Sequence, residues 1–112
     1  MANIYKNNGF NLSTTNLTSI YTCPTNRTSI IKNIQINNDH SSAIQTEIFV
    51  TDTSASQTFK IYHKDLGADT TDNGALSPVV LESGDILKIQ VATANKIEAM
   101  ISYLEIFDDK SA

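Results

Sequence analysis

Few residues in this 112-residue chain have the type and setting for chemistry. His40 lies in a polar run at 37–42 and His63 in an alternating apolar/polar segment. A catalytic dyad needs a nucleophile and a base within hydrogen-bond reach. The two histidines lie far apart in sequence, and both read as surface or interface residues. Cys23 precedes Pro24. A reactive thiol needs a helix N-terminus or nearby cations to hold its thiolate, so Cys23 reads as a small hydrophobe. The segment 65–74 places Asp69, Thr71, Asn73 and Gly74 at spacings that echo a calcium loop. Position twelve, where a bidentate Glu belongs, is Val80, and the expectation is a solvated hairpin loop. No zinc spacing, phosphate-cradling glycine loop or nucleophile elbow occurs. Asp108-Asp109 is a pair of tail charges. No catalytic, metal or cofactor residue is assigned, and the chain reads as non-enzymatic.

Aromatic rings are the remaining binding chemistry, since they stack on the apolar faces of sugars or anchor protein contacts. There is no Trp, and the eight Phe and Tyr are dispersed. Tyr5 and Phe10 near the start, and Tyr62 between Lys60 and Lys64, are the candidates for exposure. Tyr103 and Phe107 lie on the last apolar segment. These five are the candidate interface residues, with core packing as the competing role.

The elements that must position these residues are strands. Thirteen Thr, eleven Ser and eleven Asn make up nearly a third of the chain, and eighteen Ile and Val outnumber seven Leu. That composition favours β-structure over helix. Alternation runs through 16–22, 29–37, 44–51, 58–64, 86–93 and 97–107, with a short apolar run at 76–81. In 29–37, Ile30, Ile34 and Ile36 share one face of a regular strand and Ile31 the other. In 97–107 both faces are apolar, as in a central strand or one that meets another subunit. Seven or eight short strands at such spacing predict an all-β fold, a single antiparallel β-sandwich or jelly roll. Residues 1–12 read as an N-terminal arm or edge strand, 13–107 as the sandwich and 108–112 as a polar tail.

Charge narrows the partners. Charged residues are only 18% of the chain and the net charge is −4. The eight basic residues are scattered singly, which argues against direct nucleic-acid or anionic-membrane binding. A lone cysteine forms no intramolecular disulfide, and residues 1–6 contain no apolar signal core. Synthesis in a cytoplasm is expected. Sequons at Asn11, Asn16 and Asn26 reflect the abundance of Asn, Ser and Thr.

Three segments carry a family resemblance. The first is Leu17-Thr18-Ser19-Ile20-Tyr21-Thr22-Cys23-Pro24 with Arg27-Thr28-Ser29-Ile30-Ile31-Lys32-Asn33-Ile34-Gln35-Ile36-Asn37-Asn38 after it. The second is Leu81-Glu82-Ser83-Gly84-Asp85-Ile86-Leu87-Lys88-Ile89-Gln90-Val91-Ala92, and the third is Ile101-Ser102-Tyr103-Leu104-Glu105-Ile106. In their order and spacing they resemble small structural proteins of tailed-bacteriophage particles. Cys23-Pro24-Thr25-Asn26 departs from that pattern, which has an apolar residue before Pro and Gly at the end of the turn. The resemblance implies a β-sandwich in the virion, made in the host bacterial cytoplasm and partnered by other phage structural proteins or by copies of itself. It implies head decoration, the neck or the tail as its place, and no catalytic residues. The alternative is a carbohydrate- or receptor-binding module of a phage fibre.

Overall fold

A computed structural model describes residues 3–107; the tail expected at 108–112, with its Asp pair, lies outside them. Nine strands follow in order: β1 (Asn3–Asn11), β2 (Thr18–Thr22), β3 (Arg27–Asn38), β4 (Ile44–Asp52), β5 (Gln57–Leu66), β6 (Thr70–Asn73), β7 (Val79–Leu81), β8 (Ile86–Val91) and β9 (Ile97–Phe107). All pairings are antiparallel. One sheet runs β1-β9-β3, and the far side of β3 is shared by β7 and β6. The other runs β2-β8-β4-β5. The fold is an all-β sandwich of two antiparallel sheets.

The expected seven or eight strands are nine. The additional strand, β6, lies in the segment read as a loop at 65–74. Thr70, Thr71, Asp72 and Asn73 have no apolar alternation to announce a strand, yet they pair with residues 35–38 at the free edge of β3. The calcium-like spacing has no loop to act in. Asn73 Oδ1 accepts the Ile34 and Ala75 amides at 3.0 Å each, and Thr71 Oγ1 donates to Asn37.

Between the sheets lie Ile31, Ile34, Ile36, Ile44, Ile48, Leu66, Leu81, Leu87, Ile89, Ile97 and Ile101, all essentially inaccessible. Burying each such side chain stabilises the fold by about 1.5–3 kcal/mol. The alternation read in β4, β8 and β9 matches this burial directly. In β3 it does not. Ser29 and Ile31 point inward, then Ile34, Ile36 and Asn38 do, while Ile30 is only half-buried. Ile31 pairs with Tyr103 and Asn33 with Ser102, so Lys32 is an extra residue, a β-bulge that inverts the phase. The expected shared face of Ile30, Ile34 and Ile36 is therefore corrected. Similar insertions occur at Ile20 in β2 and Ile61 in β5. Both flank the cross-sheet row of Ser19, Lys88, Phe49 and Lys60, so the second sheet bends along one line.

Gly74 sits where two layers touch. A Cβ there would collide with the δ-methyls of Ile48 and Ile36, so only glycine lets the chain after β6 pass over the core.

Candidate functional site

Parts of the three segments that carry the family resemblance, 21–29, 81–85 and 103–105, meet at one end of the sandwich. Tyr21 from β2 and Glu105 from β9 face each other across the sheets, and the Tyr21 hydroxyl donates to Glu105 Oε2 at 2.6 Å. That proton being committed, Ser29 Oγ donates to the Tyr21 oxygen at 2.6 Å. The Cys23 thiol stands 3.3 Å from Ser29 Oγ and continues the chain. Tyr103 packs its ring against Tyr21, with centroids 4.5 Å apart. From the rim, Arg27 Nη1 reaches Glu105 Oε1 at 2.7 Å and Lys6 Nζ reaches it at 3.0 Å. The guanidinium also lies 4.1 Å over the Phe107 ring.

The segment 81–85 completes this end. Gly84 adopts φ +87°, a left-handed conformation that side chains resist, and its amide donates to the Cys23 carbonyl at 2.9 Å. The Cys23 amide donates to the Asp85 carbonyl at 2.8 Å. The Asp85 carboxylate accepts the Glu82 amide at 2.9 Å and the Thr53 amide and hydroxyl at 3.1 Å each. One turn thus ties the β2–β3 link to the β4–β5 link.

Burial and the ion pairs set the charge state of the cluster. Burial works to raise the Glu105 carboxyl, but the Tyr21 hydroxyl, the Lys6 ammonium and the Arg27 guanidinium outweigh it and hold the group below the usual carboxylate range. Burial and the bond to Glu105 push the Tyr21 phenol far up, and burial also raises the Cys23 thiol. A nucleophile would need the opposite shift. Glu105 is only 2% exposed.

The two outer faces differ sharply. On the four-stranded sheet, Glu47, His63, Lys60 and Lys88 make a charged surface. His63 Nδ1 lies 3.2 Å from Glu47, and Gln45 contacts the other ring nitrogen at 2.9 Å. On the five-stranded sheet, cross-strand pairing aligns Tyr5, Leu104, Ile30 and Val80 in a single row, flanked by Ile106. Tyr5 is 75% exposed and Val80 59% exposed. Met100, 45% exposed, stands further along β9 beside a groove lined by Gly9, Gln35, Asn37 and Glu98.

No protein-family model and no curated protein sequence matches the chain. Among solved structures it is similar to a pentameric capsid protein isolated from metagenomic phage sequences. The identity is 17% and the TM-score 0.46, covering 93% of this chain and 69% of that one.

Of the five candidate interface residues, Tyr5 is fully presented and Phe10 is half-buried against the core. Phe107 is half-buried beneath Arg27. Tyr103 is inside, a member of the Glu105 cluster. The expected exposure of Tyr62 is corrected. The Ile61 bulge turns its ring inward to 6% exposure, and its hydroxyl donates to Asp72 at 2.7 Å. Of the three rings expected to be exposed, Tyr62 is thereby removed. His40 stays in the β3–β4 turn, where its amide donates to Asn38 Oδ1.

Sequence reading missed two groups. Glu105 was given no role of its own, and nothing in its neighbourhood announces Tyr21, 84 positions away. Asn38 looked like a turn residue, yet it is fully buried. Its amide donates to the carbonyls of Ser42, Leu66 and Gly67 at 3.0–3.1 Å, clasping two turns. Strand alternation from Ile34 and Ile36 was the available clue for Asn38.

Proposed function

We propose that this chain is a non-enzymatic structural component of a tailed-bacteriophage particle and docks on it through the outer face of the five-stranded sheet. The observation that carries this reading is the row formed by Tyr5, Leu104, Ile30 and Val80. It crosses four strands without a charge, with Tyr5 and Val80 exposed at its ends and Leu104 and Ile30 half-buried between them. Exposed contiguous apolar surface of this kind marks interaction sites. The opposite face carries the charge that keeps a free subunit dissolved. The family resemblance supports the particle as the partner. Its three segments build the cluster that braces the sheet rather than a catalytic centre.

The test uses particles of the virus whose genome carries this chain. They are produced with the wild-type chain or with Val80→Asp/Leu104→Asp, banded on a density gradient and probed for the chain. Wild type is expected to band with the particles and the variant to remain at the top of the gradient. Wild-type chain missing from banded particles refutes the reading; a variant that bands equally well refutes the docking face.

A further inference from the structure

We propose that β1 pairs edge to edge with β1 of a second copy of this chain, joining two five-stranded sheets into one continuous sheet. A sheet edge presents unpaired N–H and C=O groups, and proteins blunt such edges by shortness, bulges, proline or charge. Every other edge among the described residues is blunted. β7 has three residues and follows Pro78; β6 has four. β2 has five and contains the Ile20 bulge. β5 is long but interrupted by the Ile61 bulge, and it carries Lys60, His63 and Lys64.

β1 is neither short, bulged nor broken by proline. Its nine residues pair with β9 from Asn3 to Asn11 without a register shift, and they contain no proline. Except at Phe10 the strand is exposed throughout. Alternate residues of an antiparallel strand direct their N–H and C=O away from the paired neighbour, so one side of β1 is an open ladder. Its single charge, Lys6, is drawn over the inner face to Glu105 at 3.0 Å. Asn8 likewise leans to the Tyr103 hydroxyl at 3.1 Å.

The sequence of β1 complements itself about Asn7. A two-fold axis there sets Asn3 opposite Asn11, Ile4 opposite Phe10, Tyr5 opposite Gly9 and Lys6 opposite Asn8 of the second copy. All nine residues are paired, and each pair falls on one face of the sheet. The half-exposed Ile4 gains an aromatic neighbour. The Tyr5 ring meets Gly9, where the Met100 Cε methyl already lies against the position a side chain would fill. Moving the axis to Lys6 would set the two ammonium groups opposite each other, which is destabilising. An isologous contact of this kind closes at two copies, so the open edge does not propagate a fibre. The outer apolar rows of both copies then lie on one side of the joined sheet.

The inference goes beyond the particle reading and fails separately from it. The single-site variants Asn7→Cys and Asn11→Cys are treated with a short bis-maleimide, circular dichroism confirming the fold of each. Native Cys23 is buried and serves as the silent background. Pairing about Asn7 puts the two thiols introduced at that position side by side, whereas two residues at position 11 stand roughly 27 Å apart at about 3.4 Å per residue. Asn7→Cys should form covalent dimers at least about tenfold faster than Asn11→Cys. Tyr5→Lys should weaken the dimer seen by sedimentation at least about tenfold. Equal cross-linking of the two variants, faster linking at position 11, or a wild-type monomer at high micromolar concentration each overturns the proposal. A monomer that still bands with particles overturns edge pairing alone. A dimer that never bands with them overturns the particle reading alone.

Discussion

At the scale of single residues, Glu105 decides how this protein responds to acid. Its carboxylate is buried, yet it is kept charged by one phenol, one ammonium and one guanidinium. Because the folded state lowers its pKa, the group binds fewer protons folded than unfolded. Its stabilisation is present above the ordinary carboxylate range and is lost as pH falls through the lower folded value. Asp72, held down by Tyr62 and Lys64, acts in the same direction. Replacing Glu105 with Gln keeps the shape and removes the charge. Lys6 and Arg27, both partly exposed, can then turn to water. The expected loss at pH 7 is about 2–3 kcal/mol, the worth of hydrogen bonds to a charged group. Urea unfolding of wild type and Glu105→Gln should show that gap narrowing below pH ~4, where the wild-type carboxylate begins to lose its advantage. A gap that stays constant between pH 7 and pH ~3 would mean that Glu105 acts through packing rather than charge.

At the scale of elements, the bulges decide which side chains reach the core. With Lys32 removed, β3 alternates without interruption: Ser29, Ile31, Ile34, Ile36 and Asn38 all remain inward, and the pairing of Ile31 with Tyr103 and Asn33 with Ser102 is kept. With Gln35 removed instead, the shortened strand can absorb the bulge only by burying Asn33 and expelling Ile34. Losing one buried Ile and burying one amide makes the second deletion about 3–5 kcal/mol worse than the first. Thermal or urea unfolding of the two deletion variants measures this directly, and equal stabilities would show that Lys32 is not the inserted residue. The same bulges explain what could be read from the sequence. β4, β8 and β9 keep period two from end to end, so Ile44, Ile48, Leu87, Ile89 and Ile101 could be placed inside from pattern alone. Period two carries no mark of an inserted residue, so Ile30 and Ile31 exchanged faces and Tyr62 was expected outside. β6 was invisible because its pairing is dictated by the free edge of β3, not by its own side chains. The Glu105 cluster joins residues from both ends of the chain, and local reading had no means of bringing them together. Only the family resemblance picked out the segments that, with Lys6, build it.

At the scale of the whole molecule, the sandwich is a two-faced body of 53 × 27 × 22 Å, and the scarcity of charge is unevenly shared between its faces. Glu47, Lys60, His63 and Lys88 crowd the outer side of the four-stranded sheet, while the middle of the other face holds Tyr5, Leu104, Ile30 and Val80. A subunit docking through its charged side would form rim ion pairs, which lose strength once added salt shortens the screening length below the spacing of the charges. Docking through the apolar row removes hydrocarbon from water, a driving force that sodium chloride hardly changes and that sulfate strengthens. The amount of chain retained on particles should therefore change less than about twofold between ~50 and ~500 mM sodium chloride, and should rise in ammonium sulfate of equal ionic strength. Gradient sedimentation of particles equilibrated in each salt gives the measurement. A steep loss of bound chain across the chloride series, with no gain in sulfate, would assign docking to the charged sheet and leave the apolar row for contacts between copies.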